Sequence, residues 1–185
     1  MQSRSLLNLS KRGFTASAYS YSNPANPKVY LTVARGEEKL GELVFELYAD
    51  RQPNTAENFQ AFCDGQAEGG ATFANTEFHH GQHGLGISGG RFGPENVGQH
   101  GARLSDEDLT VRHIKRGQLT APNSGPNAAG SEFTITFNET PFLDGYQTVF
   151  GELVHGQDVL DKLEAGVDRL GNVNEDFRIV DSGSK

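Results

Sequence analysis

Apolar residues recur at every second position in two early parts of the chain, residues 29–33 and residues 43–47. Because the period is two, alternate side chains lie on one face, which is the pattern of a half-buried β-strand. The glycine-containing residues 35–39 lie between the two runs and form a turn. We therefore predict a β-hairpin over residues 29–48.

Two other segments show the three-to-four-residue spacing of an α-helix. The first opens at Pro53 and ends before the glycine-rich residues 65–70. Asn54 is a favourable N-cap residue, and Glu57, three positions later, completes the pattern of a capping box. The second predicted helix spans residues 158–164, whose apolar residues fall on one face.

The stretch 117–137 carries the densest turn signal in the chain. Residues 118–121 can run extended, residues 122–130 concentrate Pro, Asn, Ser and Gly, and residues 131–137 alternate apolar and polar again. Long loops in compact domains are mostly functional or disordered. Because this loop holds two prolines and small side chains, we expect it to be rigid and closely packed. A plain surface connection is the alternative.

Further short strands are predicted within residues 71–92, 148–154 and 177–180. Many short strands with two helices predict a mainly β fold of the α+β type, a closed β-barrel with helices at its ends. The chain of 185 residues, with 23 glycines and 35% hydrophobic residues, suits a single loop-rich domain. We place that domain at residues 28–185, after a linker that contains two prolines.

Residues 1–27 are predicted to be an N-terminal extension with its linker. Its first twenty residues are rich in serine, include Arg4, Lys11 and Arg12, and contain no acidic residue. This composition is typical of a mitochondrial transit peptide, and residues 12–15 resemble a matrix-protease cleavage site. We expect a mitochondrial location, in the matrix or on the matrix face of the inner membrane. A ragged basic N-terminus is the alternative, and whether the segment is cleaved stays open.

Composition excludes several classes of partner. The net charge of −8 argues against nucleic acid, because phosphate binding needs a basic surface. A single cysteine, Cys63, cannot form an intrachain disulfide and suits a reducing compartment. No apolar run is long enough to span a bilayer, so we expect no membrane span.

The histidine-rich residues 79–83 could suggest a metal site. Zinc needs three or four ligands held tetrahedrally, and neither an HExxH nor a CxxC spacing is present. Residues 84–89 spell GxGxxG, but a histidine turn precedes them and Gly93-Pro94 follows, which is not the strand-to-helix context of a dinucleotide site. Residues 106–108 are acidic without the spacing of an EF-hand, so we interpret them as a solvated turn. We expect no metal and no cofactor.

Taken together and in order, these segments resemble the cyclophilins, a family of peptidyl-prolyl cis-trans isomerases. The resemblance covers roughly residues 28–185, and several multi-residue matches in the right order are more specific than one short pattern. It implies an eight-stranded antiparallel closed β-barrel capped by two α-helices, with the stretch 117–137 lining a proline-binding groove. The matching segments are residues 53–59, 78–79, 89–90, 92, 106–109, 123–127, 130–133, 142–145, 149–151 and 179–183.

The resemblance also implies where the groove residues lie, and most of those positions depart from the family pattern. His80 stands where the family has its essential arginine. The proline pocket's first phenylalanine, its methionine and its second phenylalanine are replaced by Leu85, Gly86 and Thr134, respectively. The other altered groove positions are Ser88, Pro122, Glu132, Phe142 and Gln147, while Asn123 and Leu143 match.

These departures predict that isomerase activity is lost or very weak. Prolyl isomerisation must lower a barrier of about 18–20 kcal/mol that arises from amide resonance. The resemblance implies that catalysis is electrostatic. Removing one preorganised hydrogen-bond donor from such a site typically lowers the rate by a factor of roughly 10²–10³. His80 is shorter than arginine and lacks the guanidinium fork. We expect no functional catalytic residue and no sensitivity to cyclosporin.

Three functions remain open at this point. The first is a structural or accessory subunit of a large mitochondrial multiprotein complex that contacts the N-terminal extension. The second is an active or weakly active mitochondrial peptidyl-prolyl cis-trans isomerase that assists protein folding. The third is a non-catalytic module that still binds proline-containing peptides. The altered groove favours the first over the second, whereas Asn123 and Leu143 keep the third possible.

Overall fold

A computed structural model describes residues 20–185 of the chain. The predicted targeting-type segment, including the cleavage motif at residues 12–15, lies outside the described residues. No helix in the described part is both long enough and apolar enough to cross a bilayer.

The described chain forms nine strands and two α-helices. The first hairpin is as predicted, because its alternating residues allow one face to enter the core. The strands are β1 Lys28–Arg35, β2 Glu38–Leu47, β3 Thr76–Glu77, β4 His80–Gln82, β5 Gly86–Gly89, β6 Gln118–Ala121, β7 Phe133–Thr136, β8 Thr148–His155 and β9 Phe177–Ser184. The helices are α1 Pro53–Cys63 and α2 Gln157–Ala165, and short 3-10 turns lie at Glu68–Gly70 and Pro141–Leu143.

The strands form one curled antiparallel sheet in the order β3-β9-β1-β2-β8-β6-β7-β5-β4. The prediction of a closed eight-stranded barrel is wrong, because the sheet is open. Its two edge strands, β3 and β4, are consecutive in the chain and separated only by Phe78 and His79. The backbone N–H of Phe78 donates to Phe177 and that of His79 donates to Ser88. The two edges therefore bond outward to different neighbours, and no ladder joins them within residues 20–185.

Aromatic side chains fill the core where α1 meets the sheet. The ring centroids of Phe59, Phe73 and Phe133 lie 5.0–5.1 Å apart pairwise. Phe62 stacks on Phe73 from the same helix face. Such pairs add about 0.5–1.5 kcal/mol each beyond the burial of their area. This cluster seats α1 at one end of the curled sheet, while α2 buries Val159, Leu160 and Leu163 elsewhere in the core.

The N-terminus of α1 is not capped in the predicted way. The helix begins at Pro53, so Asn54 lies inside it and makes no N-cap bond, and the expected capping box is absent. Glu107 instead accepts hydrogen bonds from the backbone N–H groups of Asn54 and Thr55, at 3.0 and 2.8 Å. A carboxylate at a helix N-terminus satisfies free donors and complements the helix dipole. The acidic turn at residues 106–108 is therefore tied to α1 through Glu107, contrary to the interpretation that it is merely solvated.

The predicted linker at residues 21–27 packs on the outer face of β2. Glu46 is 3% exposed and accepts hydrogen bonds from the Ser22 hydroxyl, the Asn23 backbone and the Asn26 amide, at 2.8, 2.6 and 3.2 Å. A buried carboxylate is tolerated only when its oxygens are bonded in this way. The point at which the chain enters the domain is therefore held in place.

Candidate functional site

A cleft of about 430 Å³ opens on the outer face of β5 and β7. Its walls are the end of β6, the strand β7, the hairpin β4–β5 and the turn at Pro141–Leu143. Ten of the eleven groove residues predicted from the sequence line this cleft: His80, Leu85, Gly86, Ser88, Pro122, Glu132, Thr134, Phe142, Leu143 and Gln147. The eleventh, Asn123, lines a neighbouring depression that shares Pro122 and Glu132 with the cleft.

The loop at residues 122–130 forms one wall and is held by its polar side chains. The Asn123 amide donates to the Tyr146 carbonyl at 2.9 Å, which ties the loop to the turn that follows Phe142. Phe142 and Tyr146 are 59% and 72% exposed. The loop and this turn therefore frame the cleft with exposed aromatic rings.

The strand pair β5–β7 places a pair of hydroxyl groups in the cleft. Ser88 and Thr134 are direct partners across the ladder, and their hydroxyl oxygens lie 2.8 Å apart. Cross-strand partners on one face contact each other, so the register itself creates this hydroxyl pair. A hydroxyl pair cannot supply the apolar grip that a proline ring needs.

Gly86 faces the same strand at very close range. A Cβ atom built there would lie 2.7 Å from the Ile135 carbonyl oxygen and 2.8 Å from the Thr134 methyl carbon. Both distances are shorter than van der Waals contact, and one of the neighbours is backbone. A larger side chain at this position therefore requires β5 and β7 to move apart.

An ion pair crosses the rim of the cleft. The Arg91 Nε donates to Glu132 Oε1 at 2.7 Å, and the Glu132 side chain is 17% exposed. Arg91 was not among the predicted groove residues, although it directly follows the Gly89-Gly90 motif and is the nearest basic residue to it in the sequence. Exposed pairs of this kind contribute only about 0–1 kcal/mol to stability. Their effect here is local, because each charge neutralises the other.

His79 and His80 differ in their surroundings although they are adjacent. His80 is exposed at the mouth of the cleft, and its side chain has no hydrogen bond or ion pair to any residue in the range 20–185. His79 is half-buried, its Nδ1 has no described partner, and burial together with nearby Arg91 lowers its pKa. No three His, Cys, Asp or Glu side chains of the described chain gather as metal ligands would.

A buried histidine lies behind the cleft and bonds to Thr120, which lines it, and to Asp144, which follows the turn at Pro141–Leu143. His113 is 1% exposed, and its Nδ1 and Nε2 lie 2.9 Å from Asp144 Oδ1 and 3.2 Å from Thr120 Oγ1. Burial lowers the pKa of His113, although the Asp144 carboxylate acts in the opposite direction. The Thr120 hydroxyl also lies 3.2 Å from Gln147 Oε1, to which it donates as the amide is oriented in the structure.

The neutral state of His113 fixes the direction of these hydrogen bonds. Nδ1–H donates to the Asp144 carboxylate, which has no proton to give, so Nε2 must accept from the Thr120 hydroxyl. The Thr120 oxygen is then left to accept a bond from the NH₂ of Gln147. Assigning the amide in this orientation turns the Gln147 carbonyl oxygen away from Thr120.

The cleft also contains residues that sequence reasoning did not identify. Besides Arg91, they are Gln82, Thr120, Thr136 and Thr140, with His79 at the edge. Thr120 and Thr136 give no signal of function, because buried threonines are ordinary in strands, and neither Gln82 nor Thr140 belongs to a recognisable motif. Only the fold brings them to one surface.

Comparison with known protein families gives one match. The family model described as "Cyclophilin type peptidyl-prolyl cis-trans isomerase/CLD" matches residues 30–184, which is most of the chain.

The His113 assignment predicts a pH effect on stability. Because the folded pKa is lowered, the full contribution of neutral His113 is present above the ordinary value near 6.5 and decreases as pH falls below it. We expect the free energy of unfolding, measured by urea denaturation, to fall between pH 7.5 and pH 5, and to fall less in His113→Gln. Long-range ¹⁵N NMR at pH 7.5 should show a neutral Nδ1–H ring. An Nε2–H ring or an equal fall in the variant would contradict the assignment.

Proposed function

Because the chain belongs to the cyclophilin-type peptidyl-prolyl cis-trans isomerase family, we propose that it keeps the shape of the family's groove without its catalysis. In this proposal the protein is a structural or accessory subunit of a mitochondrial multiprotein complex. The observation that carries the proposal is the hydroxyl pair of Ser88 and Thr134 in the cleft, together with His80 at the position of the essential arginine.

Within the described residues, the cleft lacks the fixed cation that electrostatic catalysis in this family needs. The family needs a fixed cation to polarise the twisting amide, and losing such a donor typically costs roughly 10²–10³ in rate. His80 is exposed and has no described partner to hold it in one orientation. The guanidinium of Arg91 does line the cleft, but Glu132 binds it and neutralises its charge. Neither side chain is therefore a replacement for the missing arginine.

Apolar binding of the proline ring is also weakened. Each fully buried apolar side chain is worth about 1.5–3 kcal/mol, and Thr134 and Gly86 replace two of the apolar residues that the family uses. The apolar side chains that still line the cleft are Leu85, Pro122, Phe142 and Leu143. A Cβ atom at Gly86 would lie 2.7 Å from the Ile135 carbonyl oxygen, so the pocket as it stands has no room for a larger side chain at this position.

Two features support a role as a subunit. Residues 1–20 have the composition of a mitochondrial targeting segment, and residues 22, 23 and 26 are anchored to buried Glu46. The exposed rings of Phe142 and Tyr146 offer an apolar surface beside the cleft. A targeting segment suits a matrix enzyme equally, so the anchored entry and the exposed rings are what favour the subunit role.

Retained peptide binding is the second candidate function. Leu143 and the wall formed by Asn123 are kept, and the cleft is still concave. A groove of this kind can bind an extended segment without isomerising it.

The loss of catalysis predicts a specific result in a chymotrypsin-coupled assay with a proline-containing peptide. We expect the full chain to leave the rate within about threefold of the uncatalysed rate, and His80→Arg to raise it by less than about tenfold, because the apolar grip is still missing. The double variant His80→Arg/Thr134→Phe should exceed either single variant. An active cyclophilin serves as the positive control, and ordinary family rates for the unaltered chain would contradict the proposal.

The subunit role is tested by native gel electrophoresis of the endogenous protein from mitochondria. We expect it to migrate with a large complex in mild detergent and to be released in a denaturing detergent. N-terminal sequencing of the same band would define its processing. Migration as a free monomer under mild conditions, or absence from mitochondria, would refute this role.

A further inference from the structure

We propose that the cleft binds an extended segment of a partner protein through an uncharged carboxamide side chain, asparagine or glutamine, at the place that the family gives to proline. This inference rests on the proposed loss of catalysis. The ligand differs from the proline of the family, and the reason lies in the hydrogen-bonding groups that line the cleft.

The first of these groups is an unpartnered hydroxyl. Thr140 is 1% exposed and lines the cleft, and its Oγ1 has no hydrogen-bond partner among the described residues. Buried polar atoms in native proteins almost always have a partner. A proline ring offers none, so filling the cleft with proline leaves this hydroxyl unsatisfied.

The second group is the hydroxyl pair of Ser88 and Thr134. Their oxygens lie 2.8 Å apart, and one proton is sufficient for the bond between them. The second hydroxyl proton is therefore available to a ligand. This side of the cleft offers a donor to an acceptor such as a carbonyl oxygen.

The third group is the amide of Gln147. Thr120 lies 3.2 Å from one end of this amide, so the other end is left for a ligand. With His113 neutral, the end left over is the carbonyl oxygen, because Thr120 then donates to Nε2 and accepts from the Gln147 NH₂. Gln147 is half-buried in the wall of the cleft. The cleft thus presents hydroxyl donors and an amide acceptor within one small volume, and a carboxamide complements both.

The ion pair at the rim selects against charged ligands. A carboxylate drawn to Arg91 is repelled by Glu132 beside it, and an ammonium or guanidinium group drawn to Glu132 is repelled by Arg91. Each also has to lose its hydration shell without a free counter-charge. An uncharged polar side chain avoids both costs. The exposed ring of Phe142 can pack against the residues that flank it.

Five matched peptides distinguish this ligand from the others. The ¹⁵N-labelled full chain is titrated with Ac-Ala-Gly-X-Gly-Ala-NH₂, in which X is Gln, Glu, Lys, Pro or norleucine, and dissociation constants are taken from chemical-shift changes. We expect the Gln peptide to bind at least tenfold more tightly than each of the other four, with the largest shifts at Thr134, Thr140 and Gln147. Equal or tighter binding of the Pro or norleucine peptide, or no shift with any peptide at ten millimolar, overturns the inference.

An isosteric variant tests the role of the unpartnered hydroxyl. Thr140→Val keeps the shape of the side chain and removes only the polar atom, so we expect Gln-peptide affinity to fall about tenfold and Pro-peptide affinity to stay or rise. Thr110→Val, an exposed change outside the cleft, is the matched control and should alter neither. Unchanged Gln-peptide binding in Thr140→Val overturns the inference.

The same samples separate this inference from the proposed function. Turnover of a proline peptide at family rates refutes the loss of catalysis. Absence of both turnover and selective Gln binding overturns only the carboxamide ligand and leaves the loss of catalysis standing.

Discussion

The pairing of β5 with β7 is the constraint on which both the core and the cleft depend. A Cβ atom at Gly89 would lie 3.0 Å from the Phe133 ring, and one at Gly90 would lie 2.5 Å from the Ser131 carbonyl oxygen. Gly90 also has a φ of 79°, in the region that favours glycine. These positions let the two strands and the aromatic cluster approach closely, so a single thin layer of backbone separates the packed interior from the open groove.

Alternation along that layer explains how the fold can persist while the site changes. Phe133 and Ile135 point inward and are fully buried, whereas Thr134 points to the cleft opposite Ser88. The hydrophobic effect constrains the inward set, because each lost side chain there costs several kcal/mol, about 2–5 for a large-to-small change. The outward set is free of that constraint. Its chemistry can become polar without unfolding the sheet, and the structure of this cleft is consistent with that separation.

The parts of the fold that have a period could be predicted from the sequence. The hairpin over 29–48 and α2 follow from spacing, and the start and end of α1 were indicated by Pro53 and the glycines at 65–70. The family is shown by the match over residues 30–184. The open sheet could not be predicted, because its edge strands are two and three residues long and such segments have no measurable alternation. The cap of α1 was missed for a different reason. Glu107 lies 52 residues from Thr55, so no local rule connects them.

The candidate site also has a part that the sequence predicts and a part that it does not. Ten of the eleven positions carried over from the family pattern lie together in the cleft, since motif order fixes the groove walls. Arg91, Thr140 and the path from Asp144 through His113 to Gln147 required coordinates, because their meaning comes from hydrogen bonds between distant segments. Predicting which residues line a groove is therefore easier than predicting which ligand their polar groups bind.

The central claim is that a family groove persists here without family catalysis, and NMR exchange spectroscopy tests it most directly. A proline peptide is mixed with a substoichiometric amount of the full chain, and exchange between its cis and trans signals is measured at sub-second mixing times. Uncatalysed exchange takes tens to hundreds of seconds and is silent on this scale. The account predicts no cis–trans cross-peaks. Cross-peaks that depend on the concentration of the protein would contradict it.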